Sequence, residues 1–400
     1  MQIFKIENHP ERVKEIFNII NVDSKAFNLM LPKTEIQLLF VRNIPGVAAN
    51  IVKQEMLSLG ADAAISKNAL VKCKKSTDIL LIGTLLHLKR LTQKLNKQPL
   101  KILRTLSQEI KRILQPSFLY WKAGENTFKF KRPLIMGVIN ITPDSFSGDG
   151  LLKYTCSRRE LVREVLNRTE KFIREGADII DIGGQSSRPG ARSIPEREEV
   201  DRVLEPLRAI KRHFSIPVSV DTYRAGVAKI CIENGASIIN DIKGLRDKKM
   251  RQVLKNSDVG IVVMHMKGTP LTMQKNPTYE SVIMEIIEFL RNSINKALEE
   301  GIEEERIVID PGIGFGKTVE DNYKILKYLE EFSVLKRPLL IGTSRKSFIG
   351  AKLNLPPQKR LYGSLATFMW CLCKGAHILR VHDVYQTHHL IKIYQAIKNA

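Results

Sequence analysis

From residue 133 to residue 400 one pattern recurs eight times: a short run rich in Val and Ile ends in polar residues and passes into an amphipathic helical stretch. The runs are PLIMGVIN (133–140), ADIIDIGG (177–184), IPVSVDT (216–222), ASIINDI (236–242), VGIVVMHM (259–266), RIVIDPG (306–312), PLLIGTS (338–344) and AHILRVHD (376–383). ELVREVLNRTEKFIREG (160–176) and YESVIMEIIEFLRNSINKALEEG (279–301) are examples of the helical stretches between them. Strands that each feed a helix lie parallel, because the helix returns the chain to the end it left. Eight such units are the count of a (β/α)8 barrel, and the span suits it. An open doubly wound sheet ranks second, since no G-x-G-x-x-G follows the first strand. The expected fold class is α/β: a (β/α)8 TIM barrel at 133–400, preceded by a small N-terminal α/β domain.

That smaller region covers residues 1–115. PGVAANIVKQEMLSLG (45–60) has helical apolar spacing, and ADAAIS (61–66) and TDILLIGT (77–84) read as short strands. Residues 86–114 alternate apolar and basic positions at helical period, with a break at Pro99. Residues 116–132 read as a linker followed by a short hairpin. Of the net charge of +22, most sits early: residues 1–133 hold 23 Lys and Arg against 10 Asp and Glu. A basic excess suits an anionic substrate, an acidic partner or nucleic acid. With no zinc-finger spacing and no aromatic-studded basic strand, a solvated basic surface is the simpler account, and nucleic-acid binding by this region is the alternative.

No segment is long and apolar enough to span a bilayer. The opening residues lack a signal-peptide core, and five cysteines are odd in number and without framework spacing. The expectation is a reduced, cytoplasmic protein with no membrane partner.

IDPGIGFGKT (309–318) resembles a phosphate-binding loop, but G-x-x-x-x-G-K-[ST] needs Gly at position 311, which is Pro311. The chemistry must therefore be sought at the strand ends, where a barrel of this kind builds its active site. The polar residues there are Asn140, Asp181, Asp221, Asn240, Asp241, His265, Lys267, Asp310, Ser344, Arg345, Lys346, Arg380, His382 and Asp383. Any one of them can be a cap or a packing residue, and Asp181 and Asp241 fit structural roles. Asp221, Asp310 and Asn240 suit a flat heterocycle with an amino-amide edge, which a carboxylate grips through two parallel hydrogen bonds. Arg345, Lys346, Arg380 and His382 suit a phosphate or diphosphate. No His/Cys cluster has zinc spacing, and no Ser or Cys has an obvious paired base. The loops at 140–150 and 183–195, rich in Gly, Pro, Ser and Asp, are expected lids.

The motifs MGVINITPDSFSGDG (136–150), DIIDIGGQSSRPGA (178–191), VSVDT (218–222), GASIINDI (235–242), MHMKGTPLTMQ (264–274), DPGIGFGKT (310–318), GTSRKSFIG (342–350) and RVHD (380–383) occur in order, one per strand end. Together they resemble dihydropteroate synthase of folate biosynthesis over about residues 133–400. The resemblance implies a barrel transferase joining (7,8-dihydropterin-6-yl)methyl diphosphate to 4-aminobenzoate, with release of diphosphate. It implies that Asp221, Asn240, Asp310 and Lys346 hold the pterin, with Asp221, Asp310 and Lys346 as catalytic residues. Asn140 would contact Mg2+, and Arg380 and His382 would grip the diphosphate. Ser187, Arg188, Pro189, Phe315 and Ser347 would lie near the aminobenzoate, which sulfonamides mimic. A homodimer is also implied. This sequence departs from the usual form with Gln185 in place of Glu, Ser187 in place of Thr, and SGDG in the first loop. A related barrel, the pterin-binding methyltransferase that passes a methyl group from a reduced folate to a corrinoid protein, is the alternative. It has no diphosphate to hold, so SRKSFIG and RVHD count against it. The resemblance assigns no activity to residues 1–132, for which a structural role is expected.

Overall fold

The computed structural model describes residues 1–400 except positions 2, 68, 70–75, 116–119, 143–150, 152–156, 187–190 and 192. The chain forms two compact units, Met1–Pro116 and Ser117–Ala400.

In the first unit, α1 (Pro10–Ile19) and α2 (Ser24–Thr34) precede β1 (Ile36–Pro45), α3 (Gly46–Ser58), β2 (Asp62–Ile65), β3 (Ser76–Thr84), α4 (Leu85–Asn96) and α5 (Lys101–Leu114). The strands form an antiparallel sheet in the order β1-β3-β2. Its core joins Val52 and Met56 of α3, Ile79 and Leu81 of β3, Leu88 and Leu91 of α4, and Leu103 and Ile110 of α5. The helix break falls around Pro99, as its missing N–H requires. β1 was not foreseen: the apolar run at 36–41 lacks the alternation that marks a half-buried strand, and Ile36, Leu38 and Phe40 are exposed.

The second unit opens with a hairpin, β4 (Tyr120–Ala123) and β5 (Asn126–Lys129). Eight strands follow: β6 (Leu134–Asn140), β7 (Ile179–Gly183), β8 (Val218–Asp221), β9 (Ile238–Asp241), β10 (Gly260–Met264), β11 (Ile307–Asp310), β12 (Leu340–Ile341) and β13 (Ile378–Val381). They alternate with α6 (Arg158–Glu175), α7 (Glu196–His213), α8 (Ala225–Glu233), α9 (Lys248–Lys255), α10 (Val282–Glu299), α11 (Val319–Lys327), the pair α12 (Ser347–Leu353) and α13 (Leu361–Cys373), and α14 (Val384–Asn399). All eight strands pair in parallel in the order β11-β10-β9-β8-β7-β6-β13-β12. A single parallel bridge, Ile309 to Leu339, closes the ring between β11 and β12. Local sequence sets the helix limits. Ser157 and Glu160 form a reciprocal capping box at the start of α6, and Gly176, at φ 99°, ends it in the left-handed region. On α13, Cys371 is buried and Cys373 exposed, both as free thiols. Among the described residues no helix is long and apolar enough to cross a membrane.

The period-two alternation of each strand divides the barrel. Ile135, Ile180, Val218, Ile239, Ile261, Ile307 and Leu379 face the helices in the main core. Leu134, Met136, Ile179, Ile238, Val262, Val308, Leu340 and Ile378 meet inside the ring, together with Trp121 and Ala123 of the hairpin. The hairpin thus plugs the end of the barrel where the strands begin. Trp121 is fully buried and donates from Nε1 to the Arg306 carbonyl at 2.8 Å. Gly260 permits this approach, since a Cβ there would stand 2.7 Å from Ala123 Cβ and 2.9 Å from the Trp121 ring. Trp121→Ala is expected to destabilise the barrel by about 3–5 kcal/mol. Urea unfolding followed by circular dichroism checks this, and an unchanged midpoint would contradict the plug.

Candidate active site

The inward side of each strand changes character toward its end. On β6 the inward positions run Leu134, Met136, then Asn140; on β7, Ile179 then Asp181; on β8, Ser219 then Asp221; on β9, Ile238 then Asn240. On β11 Val308 is followed by Asp310, and on β13 Ile378 is followed by Arg380 and then His382. One periodicity therefore makes an apolar floor and a polar roof. The pairing register aligns the roof across the sheet: Asn140 with Gly183, Gly183 with Asp221, Asp221 with Asn240, and Met264 with Asp310.

Arg380 lies at the middle of this layer. Its Nε donates to Asp181 Oδ2 at 2.7 Å, and its Nη2 lies 2.6 Å from the same oxygen and 2.9 Å from Asp221 Oδ2. Asp181 is fully buried, so a pair of carboxylates orients the guanidinium. Burial pushes the Asp221 carboxyl up to about 7; Arg380 opposes the shift, and Asp181 adds repulsion. A brace stands behind Asp221: Thr222 Oγ1 donates to Glu199 at 2.6 Å, and Arg224 pairs with the other Glu199 oxygen at 2.8 Å. Asn240 is 3% exposed, and its Oδ1 has no hydrogen-bond partner among the described residues. The same holds for Asp181 Oδ1 and Ser219 Oγ. Unsatisfied buried acceptors clustered at the mouth of a barrel mark a surface made for a polar ligand. His382 takes part through Nδ1, 2.9 Å from Ser344 Oγ.

Asp310 Oδ1 accepts from the Gly312 amide at 2.7 Å, and burial raises this carboxyl despite the opposing charge of Lys346. Lys346 caps α12 and reaches back to donate to the Ile313 carbonyl, with its ammonium 4.8 Å from the centre of the Phe315 ring. Burial lowers the Lys346 ammonium to about 8, while Asp310 supports its charge. Ser347 follows as the exposed first residue of α12. Phe315 packs with Ile242, Met264, Met266 and Met273 in an apolar wall, against which Tyr223 rests. Gln185, the residue that departs from the family form, donates to the Tyr223 hydroxyl at 2.8 Å.

The stretch 312–316 is held through its carbonyls. Gly312 O and Phe315 O accept from Lys317, Ile313 O from Lys346, Gly314 O from Gln274 at 3.0 Å and Gly316 O from Tyr279 at 2.6 Å. Gly312, Gly314 and Gly316 all have positive φ, at 69°, 83° and 64°. A Cβ on Gly312 would collide with the His265 carbonyl. Thr318 begins α11 as its cap, paired with Asp321, whereas Lys317 lies buried under the loop and outside the helix.

Five strand-end residues do not join the site: Arg345 with its partner Asp383, His265, Asp241, and Lys267, which donates to the Thr278 carbonyl and pairs with Glu285 at 3.6 Å. Arg345, at φ 55°, turns its guanidinium onto both oxygens of Asp383. His265 falls one residue out of phase with inward-facing Met264 and packs edge-on against Phe289 at 5.0 Å. Asp241 is likewise out of phase, and its carboxylate accepts from the Lys243 and Leu245 amides at 2.8 Å. Ser187, Arg188 and Pro189, and most of the first loop, lie outside the described residues. The Met wall, Ser219 and the Lys317 hold were missed; the close Met spacing in MHMKGTPLTM was the available signal for the wall.

The Pterin binding enzyme family model matches residues 136–382. The chain is 41% identical to the dihydropteroate synthase of Haemophilus influenzae over 268 residues, covering 67% of this chain and 95% of that protein. A Yersinia pestis dihydropteroate synthase in a sulfonamide drug complex superposes with a TM-score of 0.67 at 37% identity, over 70% of this chain and 100% of that one. The Burkholderia cenocepacia enzyme complexed with 7,8-dihydropteroate gives 0.63 at 35% identity, over 71% and 97%. Residues that share the inward phase of eight parallel strands, and a family match spanning those same strands, agree: the chain belongs to the dihydropteroate synthases of the pterin-binding enzyme family.

Proposed function

We propose that this chain condenses (7,8-dihydropterin-6-yl)methyl diphosphate with 4-aminobenzoate to give 7,8-dihydropteroate and diphosphate. The observation that carries the reading is the inward layer of Asp221, Asn240 and Asp310 around Arg380, with buried acceptor oxygens aimed into the barrel mouth. A pterin presents adjacent N–H donors on one edge. An ionised carboxylate matches them through two parallel charge-assisted bonds, and Asn240 adds an acceptor. The sulfonamide complex of the Yersinia relative and the dihydropteroate complex of the Burkholderia relative support the same pair of substrates.

The chain's residues divide the work. Asp221, Asn240, Asp310 and Lys346 hold the ring flat at the strand ends. As the C–O bond to diphosphate breaks, positive charge spreads from the methylene into the ring, where Asp221 and Asp310 stabilise it. Negative charge grows on the leaving group. No described residue accepts from Arg380 Nη1, which is left to meet that charge beside His382. An aromatic amine is neutral near pH 7, so it needs positioning more than a base. Phe315, the Met wall and Ser347 supply one side of that position, and Ser187 and Arg188 are assigned to the other.

Mg2+ is the proposed cofactor. Among the described residues no cluster of His, Cys, Asp and Glu forms a metal cage. A half-buried amide at Asn140 fits an ion that keeps water and substrate phosphate oxygens in most of its shell. Bound there, Mg2+ would neutralise charge on the diphosphate. We further propose a cytoplasmic homodimer, the catalytic region being 133–400 and residues 1–115 structural. The test is a coupled assay with purified protein: diphosphate is expected to appear only when both substrates are present. Release without 4-aminobenzoate, or methyl transfer to a corrinoid protein, would overturn the reading.

A further inference from the structure

Lys317 stood in the sequence as part of a failed nucleotide motif, and the mechanism above does not use it. It is 3% exposed. Its ammonium lies 2.8 Å from Gly312 O, 2.9 Å from Phe315 O and 3.0 Å from His265 Nδ1. Four acceptors thus surround it, the His265 carbonyl at 3.4 Å included, and burial keeps the His265 ring neutral with its lone pair toward the ammonium. No carboxylate lies within ion-pair distance among the described residues. Burial pushes the Lys317 ammonium well below the usual lysine range, with Asp310 supporting its charge, so holding the group here is costly. The two loop carbonyls it grips bracket the turn that presents Phe315 to the site, and Phe315 N in turn donates to Gly312 O at 3.1 Å. Gly312 is also tied to Asp310, so one ammonium fixes the aromatic ring relative to the carboxylate.

We infer that Lys317 is a positioning residue for the second substrate: from beneath the loop it sets the Phe315 ring, and through it the seat of the aromatic amine, without touching either substrate. The inference rests on the proposed reaction and goes one step beyond it. A purely structural lysine would affect stability, or both substrates alike. A positioning lysine separates the two KM values, because Asp221, Asn240 and Arg380 are carried by β8, β9 and β13, to which Lys317 makes no hydrogen bond, and Asp310 keeps its own bond to the Gly312 amide.

The test is Lys317→Met in the full chain, nearly isosteric but without donors. KM for 4-aminobenzoate is expected to rise about tenfold or more, since small misplacements of a reacting partner cost one to two orders of magnitude. KM for the pterin diphosphate is expected to stay within about twofold. Lys317→Gln keeps two donors for the Gly312 and Phe315 carbonyls and is expected to fall between wild type and Met. Equal changes in both KM values, or a lowered melting midpoint with both KM values unmoved, would overturn the inference. If Lys317→Met does not fold, Lys317→Gln must still separate the two KM values, or the inference fails. An inactive wild-type protein defeats the proposed reaction, whereas an active wild type with unseparated variants defeats only the role of Lys317.

Discussion

Asp221→Asn is expected to lower kcat/KM for the pterin diphosphate by about two orders of magnitude while the protein stays folded. In the proposed reaction the carboxylate would accept two parallel bonds from the pterin edge. An amide can accept only one, and its NH2 opposes the second N–H. Each hydrogen bond to a charged group contributes about 1.5–3 kcal/mol, so losing one and leaving a donor facing a donor comes to ~3 kcal/mol, or ~100-fold. The fold should survive because Arg380 keeps its Asp181 contacts, while the new amide relieves repulsion among Asp221, Asp181, Glu199 and Asp241. Steady-state kinetics beside a thermal melt would check both halves. Turnover at the wild-type rate would remove Asp221 from the site.

Lys346→Ala carries a comparable penalty and a distinctive pH signature. Truncating one member of a buried charged cluster costs about 2–5 kcal/mol, so a loss of ~100-fold is expected. Burial pushes the Asp221 carboxyl up to about 7, and in the proposed reaction it must be ionised to accept the pterin edge, so kcat/KM is expected to rise with pH through that value. Burial lowers the Lys346 ammonium to about 8, and in the proposed reaction it must be protonated to donate, so kcat/KM is expected to fall as pH rises past that value. The result is a narrow bell. Lys346→Ala should lose the alkaline limb and keep the acid one; Asp221→Asn should do the reverse. A wild-type profile flat from pH 6 to 9 would contradict both assignments.

The strand–helix alternation was legible because a parallel strand buried on both faces is a continuous Val/Ile run, and all eight runs became strands. The polar strand ends were legible too, but which way each pointed was not. Inward direction depends on the phase of a two-residue period, which separates Asp310 and Asn240 from their out-of-phase neighbours His265 and Asp241. Arg345 was misread for a different reason: a left-handed backbone at that position swings the side chain to Asp383, and nothing local to an Arg announces it. Lys317 was hidden because the lysine of a G-K-T triplet reads as a ligand contact or a helix start. Its partners are carbonyls, which every residue has and no sequence displays.

The barrel is a ring with one seam. Seven of its eight junctions are hydrogen-bonded strand ladders, while β11 and β12 meet at a single bridge. The two segments that leave the strands beside that seam are the 312–316 stretch with Phe315 and the 343–347 turn with Lys346 and Ser347. Of the residues assigned to the pterin, Asp310 and Lys346 flank the seam, whereas Asp221 and Asn240 sit on β8 and β9, paired on both sides. A split ring yields where it is split, so the wall assigned to the aromatic amine, with Asp310 and Lys346 of the pterin set, lies on the compliant arc, and Asp221 and Asn240 lie on the stiff one. Adaptation to amine analogues of different girth, sulfonamides among them, then falls to the seam, with Asp221 and Asn240 left undisturbed.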